Sequence, residues 1–406
     1  MKGMGPIPPG FVADAQGRLL ISGQDVETLV AEAGGTPLFA YDRHAIGARV
    51  ASFRAFFPED VALHYAVKAN PYGPLLEAMA GLVDGFDVAS AGELGRVAHL
   101  GLPISFAGPG KRDQELETAI RAGVTINLES EGEAERALAI CKGEGLIARL
   151  AVRVNPPFGL RGSGQKMGGL PSQFGVDHDR AAALIRRIAE AGGDWQGLHI
   201  FAGSQALHAD ALIDLQRETV ALAASICEEA GRAPPHVNLG GGFGIPYFAK
   251  DEPLNVESVG TALVNALAGR PKILAGTEFA IELGRWLVGE AGVYLTRVVD
   301  RKESRGKIFL VTDGGLHHML AASGNFGQLL RRNYPVAIAS RFGASANEEA
   351  SIVGCLCTPL DLLADEVALP AADVGDLVAV FCAGAYGLSA SPQAFLSQAK
   401  AREIML

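Results

Sequence analysis

Residues 61–110 have the sequence VALHYAVKANPYGPLLEAMAGLVDGFDVASAGELGRVAHLGLPISFAGPG, in which three short apolar runs alternate with two longer segments. The longer segments are rich in Ala, Leu, Glu and Arg, and their apolar residues recur with helical spacing. Short apolar runs that end at Gly, Pro, Asn or Asp are typical of buried strands. The stretch therefore predicts strands that alternate with helices.

The same alternation continues to about residue 282. Eight apolar runs end near Val67, Val88, Ala107, Asn127, Val154, Ile200, Leu239 and Ile281. Each run except the last is followed by loop residues and a helix-length segment. A closed barrel of eight parallel strands requires eight such units, whereas an open doubly wound sheet needs fewer. We predict a (β/α)8 or TIM barrel, a fold of the α/β class, over residues 37–282.

The pattern changes from about Val293 onward. Runs such as VYLTRVVD, KIFLVTDGG and DLVAVFCAGAYG are rich in β-forming residues and have no regular helices between them. Such runs, separated by turn residues, are typical of antiparallel sheets. We predict that residues 1–36 and 283–406 form a second, antiparallel β domain, either a β-barrel or a β-sandwich.

The composition favours small-molecule chemistry. A formal net charge of -10 over 406 residues argues against binding to nucleic acid or to an acidic membrane surface. Five cysteines are too few for a disulfide framework, and their odd number leaves a free thiol, as expected in the reducing cytoplasm. No segment sustains the roughly 18 apolar residues of a membrane span. We predict a cytoplasmic protein.

In a (β/α)8 barrel the active site lies at the C-terminal ends of the strands. The residues there are Lys68, Asp87, Arg153, Gly240, Gly241, Gly242, Glu282 and Arg285. Three consecutive glycines allow backbone N–H groups to approach an anion, and a nearby arginine supplies a fixed positive charge. Together they predict a phosphate site after strands seven and eight, although the glycines alone would fit a tight turn equally well.

Lys68 and Glu282 indicate the kind of cofactor. Desolvation and nearby positive charge lower the pKa of a lysine and free its amine to form a Schiff base. Pyridoxal phosphate (PLP) enzymes that stabilise a carbanion place an acid beside the pyridine nitrogen, and Glu282 could be that acid. The alternatives are a solvated loop lysine and a surface salt bridge between Glu282 and Arg285.

Several motifs carry a family resemblance across nearly the whole chain. In order they are TPLFAYD, HYAVKANPYG, FDVASAGEL, AGPGK, HIFAGSQ, NLGGGFG, ELGRWLVGEAG, GCLCTPLD and GAYG. Each motif is weak alone, but this order is specific. The chain resembles the barrel-type (fold type III) PLP-dependent decarboxylases that act on diaminopimelate, ornithine and arginine, which are distantly related to alanine racemase. The resemblance implies an alanine-racemase-like barrel, pyridoxal 5'-phosphate as cofactor and amino-acid decarboxylation.

The resemblance also implies residue roles. Lys68 would be the Schiff-base lysine, and Glu282 would face the pyridine nitrogen of the cofactor. Arg153 would lie near the ring hydroxyl, and Asp87 is similar to an active-site aspartate of the family. The residues expected around the phosphate are Ser204, Gly240, Gly241, Gly242, Arg285 and Tyr386. Cys357 resembles the general acid that reaches the active site of the neighbouring subunit, which implies a homodimer with shared sites. A buried strand cysteine is its alternative.

Three positions depart from the family pattern. Phe201 replaces a histidine that stacks on the cofactor ring, while His199 is retained two residues earlier, and a phenyl ring can still stack. Thr358 replaces an acidic residue that contacts the distal amine of diamino substrates, so Thr358 and Asp361 are predicted to bear on the substrate. Leu283 replaces a proline and should be tolerated. An altered substrate, free or linked to a carrier protein, is therefore expected.

Other readings remain open at this point. An amino-acid racemase on the same barrel usually has an arginine at the pyridine nitrogen, which Glu282 argues against. A non-catalytic, decarboxylase-like regulator is disfavoured because four residues are retained together: Lys68, Glu282, Arg285 and Cys357. A metal site is also disfavoured. Cys355 and Cys357 have no second ligand pair in the sequence, and neighbouring histidines on a strand, such as His317 and His318, point to opposite faces.

Overall fold

The computed structural model describes residues 2–160, 165–166, 168–328 and 330–406. The chain divides into two compact units. The barrel unit consists of Arg49–Gly244 and Pro253–Gly284. The β unit consists of Met1–Ala48, Ile245–Glu252 and Arg285–Leu406.

The barrel unit contains the predicted closed ring of parallel strands. Within the described residues its eight strands are β1 Val61–Ala66, β2 Gly85–Val88, β3 Ile104–Phe106, β4 Thr125–Leu128, β5 Arg149–Asn155, β6 Asp194–Ile200, β7 His236–Asn238 and β8 Glu278–Leu283. Each strand pairs in parallel with the next, and β8 pairs with β1 to close the ring. All eight strands end within two residues of their predicted ends, so the (β/α)8 prediction is confirmed.

Helices follow the first seven strands. They are α1 Gly73–Ala80, α2 Ala91–Val97, α3 Asp113–Arg121, α4 Glu131–Glu144, α5 His178–Glu190, α6 Ala209–Ala230 and α7 Val256–Ala268, and helix Arg43–Phe56 precedes β1. Short segments complete this part of the chain: 3-10 turns at Val67–Ala69, Ala98–Leu100 and Lys272–Leu274, and strands Gln165–Lys166, Val176–Asp177 and Gly203–Ser204. Across the described residues, no helix combines the length and hydropathy that crossing a bilayer requires.

Local sequence explains where two of these helices begin. Ser90 and Ser130 each stand immediately before a helix, and their hydroxyls accept hydrogen bonds from the backbone N–H groups of Glu93 and Glu133, both at 3.1 Å. A serine at this position satisfies a backbone donor that the first turn leaves without an intrahelical partner. Each helix therefore begins directly after the loop that carries the strand-end residues.

A cavity of about 320 Å³ lies at the N-terminal ends of the barrel strands. Its wall includes the small residues Ala62, Ala151 and Ala280, and the strand-start residues Arg149 and His236. Larger branched side chains fill the interior of most such barrels, and alanines leave space there. The cavity is at the opposite end of the strands from Lys68, so it is separate from the predicted active site.

The β unit is built on an eight-stranded sheet within the described residues. Its strands are β9 Gly292–Ser304, β10 Lys307–Thr312, β11 Val336–Ile338, β12 Glu348–Val353, β13 Leu362–Leu369, β14 Leu377–Val380 and β15 Arg402–Met405, together with Leu38–Tyr41. Most neighbours are antiparallel, but β10 pairs in parallel with β12, and β15 with Leu38–Tyr41. The sheet is therefore mixed: most of its pairings are antiparallel, as predicted, and two are parallel.

The predicted domain boundary at residue 37 differs from the observed division. Strand Leu38–Tyr41 pairs antiparallel with Gly292–Leu295 of β9, and all four of its residues are buried. The segment is therefore part of the β-unit sheet and not of the barrel. A short apolar run has the same sequence pattern in either sheet. The pattern of residues 38–41 therefore could not show to which sheet they belong.

The remaining elements of the β unit are short. Strands Val12–Ala13, Leu19–Ile21 and Gln24–Asp25 form a small antiparallel sheet that leads into helix Val26–Glu32. Helix Arg285–Val288 follows the last barrel strand. The 3-10 turns are Gly289–Ala291, Ala339–Arg341, Leu388–Ala390 and Phe395–Ser397.

Candidate active site

Lys68 lies in the 3-10 turn directly after β1, where the sequence placed it. Its Nζ donates a hydrogen bond to Glu282 Oε1 at 3.1 Å and lies 3.8 Å from Asp87 Oδ2. The Lys68 side chain is 41% exposed, whereas those of Asp87 and Glu282 are each 1% exposed. The predicted amine and both predicted carboxylates therefore form one cluster, and the amine is accessible from outside it.

Strand register brings these residues together. Glu282 on β8 pairs with His64 on β1, and Ala66 on β1 pairs with Asp87 on β2. Paired residues on neighbouring strands have side chains on the same face of the sheet, here the inside of the ring. Lys68, just beyond the end of β1, therefore reaches both carboxylates.

His199 on β6 completes the cluster, since its Nε2 lies 3.1 Å from Glu282 Oε2. Burial raises the pKa of Glu282, but the charge of Lys68 and the hydrogen bond from His199 outweigh it and hold that pKa well below its usual range. Burial lowers the pKa of His199. Glu282 is therefore ionised at neutral pH and His199 is neutral, so His199 donates from Nε2.

Asp87 differs from Glu282 although the two carboxyl groups are close. Burial, followed by the negative charge of Glu282, raises the pKa of Asp87 well above its usual value. Nδ1 of His199 is buried and has no hydrogen-bond partner among the described residues. Buried polar atoms without partners are rare in folded proteins and suit a site that a polar ligand completes.

Phe201 follows β6, and the centroid of its ring lies 5.6 Å from Lys68 Nζ. The residue that replaces the family's histidine is therefore at the same site as Lys68. An aromatic ring at this distance attracts the ammonium group weakly and offers a flat apolar surface. This position is compatible with the predicted stacking on a cofactor ring.

The three glycines after β7 are closely packed. A Cβ on Gly240 would lie 2.5 Å from the carbonyl oxygen of Ile200, and a Cβ on Gly241 would lie 1.9 Å from that of Glu282. Gly242 has a φ of +89°, and its Cβ would approach the carbonyl oxygen of Gly203 to 2.7 Å. Packing of the loop against neighbouring strand ends therefore requires glycine here, independently of phosphate binding.

Arg285 belongs to the β unit, and its guanidinium lies between two tyrosine rings. Its Cζ is 5.4 Å from the centroid of Tyr247 and 4.7 Å from that of Tyr386, and Nη1 donates to the Tyr247 hydroxyl at 3.0 Å. Among the described residues, its buried Nε has no hydrogen-bond partner. A partly buried guanidinium with an unused donor suits an anionic ligand. Tyr247 lies outside the sequence motifs, so the sequence did not indicate it.

The loop at residues 354–361 contains Cys357, whose side chain is exposed. The Asp361 carboxylate is buried and accepts hydrogen bonds from the backbone N–H groups of Leu316 at 2.6 Å and Leu356 at 2.8 Å. These contacts hold the loop in shape. They favour a structural role for Asp361 over the predicted substrate contact. The sequence alone could not show that both carboxylate oxygens of Asp361 accept hydrogen bonds from the backbone.

Arg153 on β5 is buried, and its Nη1 donates to Glu129 Oε1 at 2.7 Å. Glu129 follows the last residue of β4 and was absent from the predicted site. Inspection of all eight strand ends, including INLES at residues 126–130, would have indicated it. Ser204 is also a strand-end residue, in the two-residue strand that pairs with Gln165–Lys166.

Comparison with known proteins identifies the family. The model of the pyridoxal-dependent decarboxylase, pyridoxal binding domain, matches residues 43–289, which include every strand of the barrel. The chain belongs to the pyridoxal-dependent decarboxylases. It is therefore a PLP-dependent carboxy-lyase that acts on an amino-acid-like substrate, as predicted.

Among the relatives of this decarboxylase is the L-glutamyl-[BtrI acyl-carrier protein] decarboxylase of Niallia circulans. It is 36% identical over 379 residues, which cover 91% of this chain and 88% of the relative. The 2-[(L-alanin-3-ylcarbamoyl)methyl]-2-hydroxybutanedioate decarboxylase of Staphylococcus aureus is 29% identical and covers 92% and 94% of the two chains. The crystal structure of diaminopimelate decarboxylase from M. jannaschii in complex with L-lysine has a TM-score of 0.86, with 25% identity and coverage of 98% and 93%.

Proposed function

We propose that this decarboxylase acts on an amino acid whose distal end carries no free ammonium group because it is joined to a carrier protein or through an amide. The observation that carries the proposal is the loop at residues 354–361. The loop presents a thiol at Cys357 and a hydroxyl at Thr358. Its one acidic residue, Asp361, is committed to backbone N–H groups.

A diamino acid would present a second ammonium group to this loop. Thr358 can offer it a neutral oxygen but no charge. A buried charge without a partner costs several kcal/mol, which corresponds to a loss of about a hundredfold or more in discrimination against such a substrate. A distal amide or ester has no such requirement.

The relatives support this proposal. The name of the Niallia circulans enzyme specifies a glutamyl group on an acyl-carrier protein. That of the Staphylococcus aureus enzyme specifies an alanine unit joined through a carbamoyl group. Both names describe an amino-acid unit that is joined to a larger group.

We assign the residues as follows. Pyridoxal phosphate, when bound, supplies an electron sink for the electron pair that the departing carboxylate leaves behind. Lys68 would hold the cofactor, and Glu282 would keep a proton on the ring nitrogen, which its ionised state supports. Four further residues would contact or orient the cofactor ring: Asp87, Arg153, His199 and Phe201. The phosphate role that the family pattern implies is kept for Ser204, Gly240, Gly241, Gly242, Arg285 and Tyr386. Cys357 would donate the proton to carbon.

The substrate proposal can be tested by CO2 release from a matched panel of glutamate, glutamyl carrier protein, a glutamyl amide, diaminopimelate and ornithine. We expect kcat/KM for a carrier-linked or amide substrate to exceed that for both diamino acids by about a hundredfold or more. Thr358→Glu should reduce this preference, because it adds a carboxylate for a distal ammonium. Release of CO2 from free diaminopimelate alone would contradict the proposal.

We further propose that the enzyme is a homodimer in which Cys357 serves the neighbouring subunit. Leu360, next to this loop, and Phe326 and Leu330 expose 57%, 42% and 81% of their surface. Asn325 Nδ2 donates to the carbonyl oxygen of Leu360 at 3.4 Å, which joins the two segments. Exposed apolar residues that lie close together are typical of subunit interfaces.

Mixing two inactive variants would test the shared site. Lys68→Ala and Cys357→Ala should each be inactive, and their mixture should recover about one quarter of wild-type activity, since half of the dimers are hybrids with one intact site each. Two affinity tags on the two variants would verify that subunits exchange. Inactive hybrids would show that each chain uses its own Cys357.

A cytoplasmic location is also proposed. The five cysteines, Cys141, Cys227, Cys355, Cys357 and Cys382, are free thiols. Free thiols are the rule in reducing compartments, where disulfides are rare. The reactive role proposed for Cys357 requires such conditions.

A further inference from the structure

Glu129 is held by contacts from three parts of the barrel unit. Its Oε1 accepts hydrogen bonds from Arg153 Nη1 at 2.7 Å and from the backbone N–H of Gly108 at 2.6 Å. Its Oε2 accepts from the backbone N–H of Gly175 at 2.8 Å. Because these three donors approach from fixed directions, they hold the Glu129 carboxylate in one orientation. That orientation determines the direction of the Arg153 guanidinium.

A buried ion pair supports Glu129 from behind. Glu133 Oε2 accepts from the backbone N–H of Glu129 at 2.9 Å, while Oε1 accepts from Lys111 Nζ at 2.7 Å. Lys111 also donates to the carbonyl oxygens of Gly108 at 2.8 Å and Asn127 at 2.9 Å. Gly108 is therefore held at both its N–H and its C=O, and the loops after β3 and β4 are tied together.

The charges of this network are balanced and buried. Burial raises the pKa of Glu129, but the charges of Arg153 and Lys111 outweigh it and lower that pKa. Glu129 is thus ionised, and two cations, Lys111 and Arg153, face two anions, Glu129 and Glu133. Removal of one member would leave an unbalanced buried charge.

Arg153 connects the network to the Lys68 cluster. On β5 it pairs with His199 of β6, so both side chains lie on the inner face of the barrel. Burial lowers the pKa of His199, and the positive charge of Arg153 also acts to lower it. Burial raises the pKa of Asp87, and the charge of Arg153 opposes that increase. The position of this guanidinium therefore influences the groups around Lys68.

We propose that Glu129 is a positioning residue for decarboxylation, which fixes the Arg153 guanidinium beside the Lys68 cluster so that its charge acts on the cofactor ring. The Lys111–Glu133 pair holds Glu129 in place. The proposal rests on the roles proposed above for Lys68 and Arg153, and it adds a residue that does not itself contact the ring.

The test compares Glu129→Gln and Glu129→Asp with Glu133→Gln, which removes a supporting carboxylate of the same network and leaves the Glu129 carboxylate present. Three quantities are measured on the PLP-loaded protein: the melting temperature, the pH midpoint of the visible absorbance band, and kcat and KM for decarboxylation. The absorbance titration needs no substrate, so it reports on the cofactor environment directly.

Glu129→Gln should lower the midpoint pH of the band, because the uncompensated charge of Arg153 favours the deprotonated form of a neighbouring group. It should also reduce kcat about 10- to 100-fold with a smaller change in KM. Glu129→Asp should restore the midpoint and part of kcat. Glu133→Gln should lower the melting temperature and shift the midpoint less than Glu129→Gln does, because Glu133 acts on Arg153 only through Glu129. In an Arg153→Gln background, Glu129→Gln should have no further effect on the midpoint.

The proposal is overturned if Glu129→Gln and Glu133→Gln lower the melting temperature alike while both keep the wild-type midpoint and kcat. Failure of the role proposed for Lys68 has a different signature, since wild-type protein would then form no visible band with PLP. A normal wild-type band with an unshifted Glu129→Gln titration therefore rejects the role of Glu129 alone.

Discussion

Lys68→Ala is expected to abolish the visible absorbance band that the wild-type protein forms with pyridoxal phosphate, and to lower kcat by about four orders of magnitude or more. Lys68 has an accessible amine that contacts Glu282 and lies near Asp87. Alanine removes the amine and adds no new charge. Absorbance spectra before and after borohydride, followed by mass analysis of the modified peptide, measure the outcome.

A matched control for this variant is Lys142→Ala, which removes an exposed lysine on α4. It should keep the band, and borohydride should still trap the cofactor on Lys68. A persistent band in Lys68→Ala, with the cofactor trapped on a different lysine, would contradict the assignment. Absence of a band in the wild-type protein would reject cofactor binding altogether.

Glu282→Gln should lower kcat by about 10²- to 10⁴-fold while the protein still binds pyridoxal phosphate. Glutamine has nearly the same shape, but it carries no negative charge to keep a proton on the ring nitrogen. The ionised carboxylate also balances Lys68 at 3.1 Å and accepts from His199 at 3.1 Å. Steady-state kinetics and the absorbance spectrum of the loaded variant would show this separation of binding from turnover.

Glu278→Gln is a control on the same strand. Glu278 is the first residue of β8, and its side chain is 77% exposed beside His236. It carries the same charge at the opposite end of the barrel, so its loss should change kcat less than about threefold. Equal losses of activity in the two variants would contradict a specific role for Glu282.

The positions of the barrel strands could be predicted because parallel strands covered on both faces form continuous apolar runs. The polar residues of the candidate site lie in or directly after the last residues of these runs, as Glu282 does in β8 and Lys68 after β1. The same apolar pattern could not show which sheet contains Leu38–Tyr41, and this strand lies in the sheet of the β unit. An apolar run indicates burial but does not specify the partner strand.

Asp361 and Glu129 show the limits of assigning a role from sequence position. Asp361 follows Cys357 closely in the sequence, yet its carboxylate is turned inward to the N–H groups of Leu316 and Leu356. Glu129 had no assigned role, yet it holds Arg153. In both cases the deciding partners come from distant parts of the chain.

The sequence by itself determined the barrel, the family and the presence of Lys68, Asp87 and Glu282 at strand ends, because strand period and residue type are local properties. Only the tertiary structure decided that Glu282 contacts both Lys68 and His199. Lys68 and Glu282 are 214 positions apart, and they meet because β8 pairs with β1 when the ring closes. Contacts of this kind depend on strand register and on closure of the ring, and these are properties of the whole folded chain.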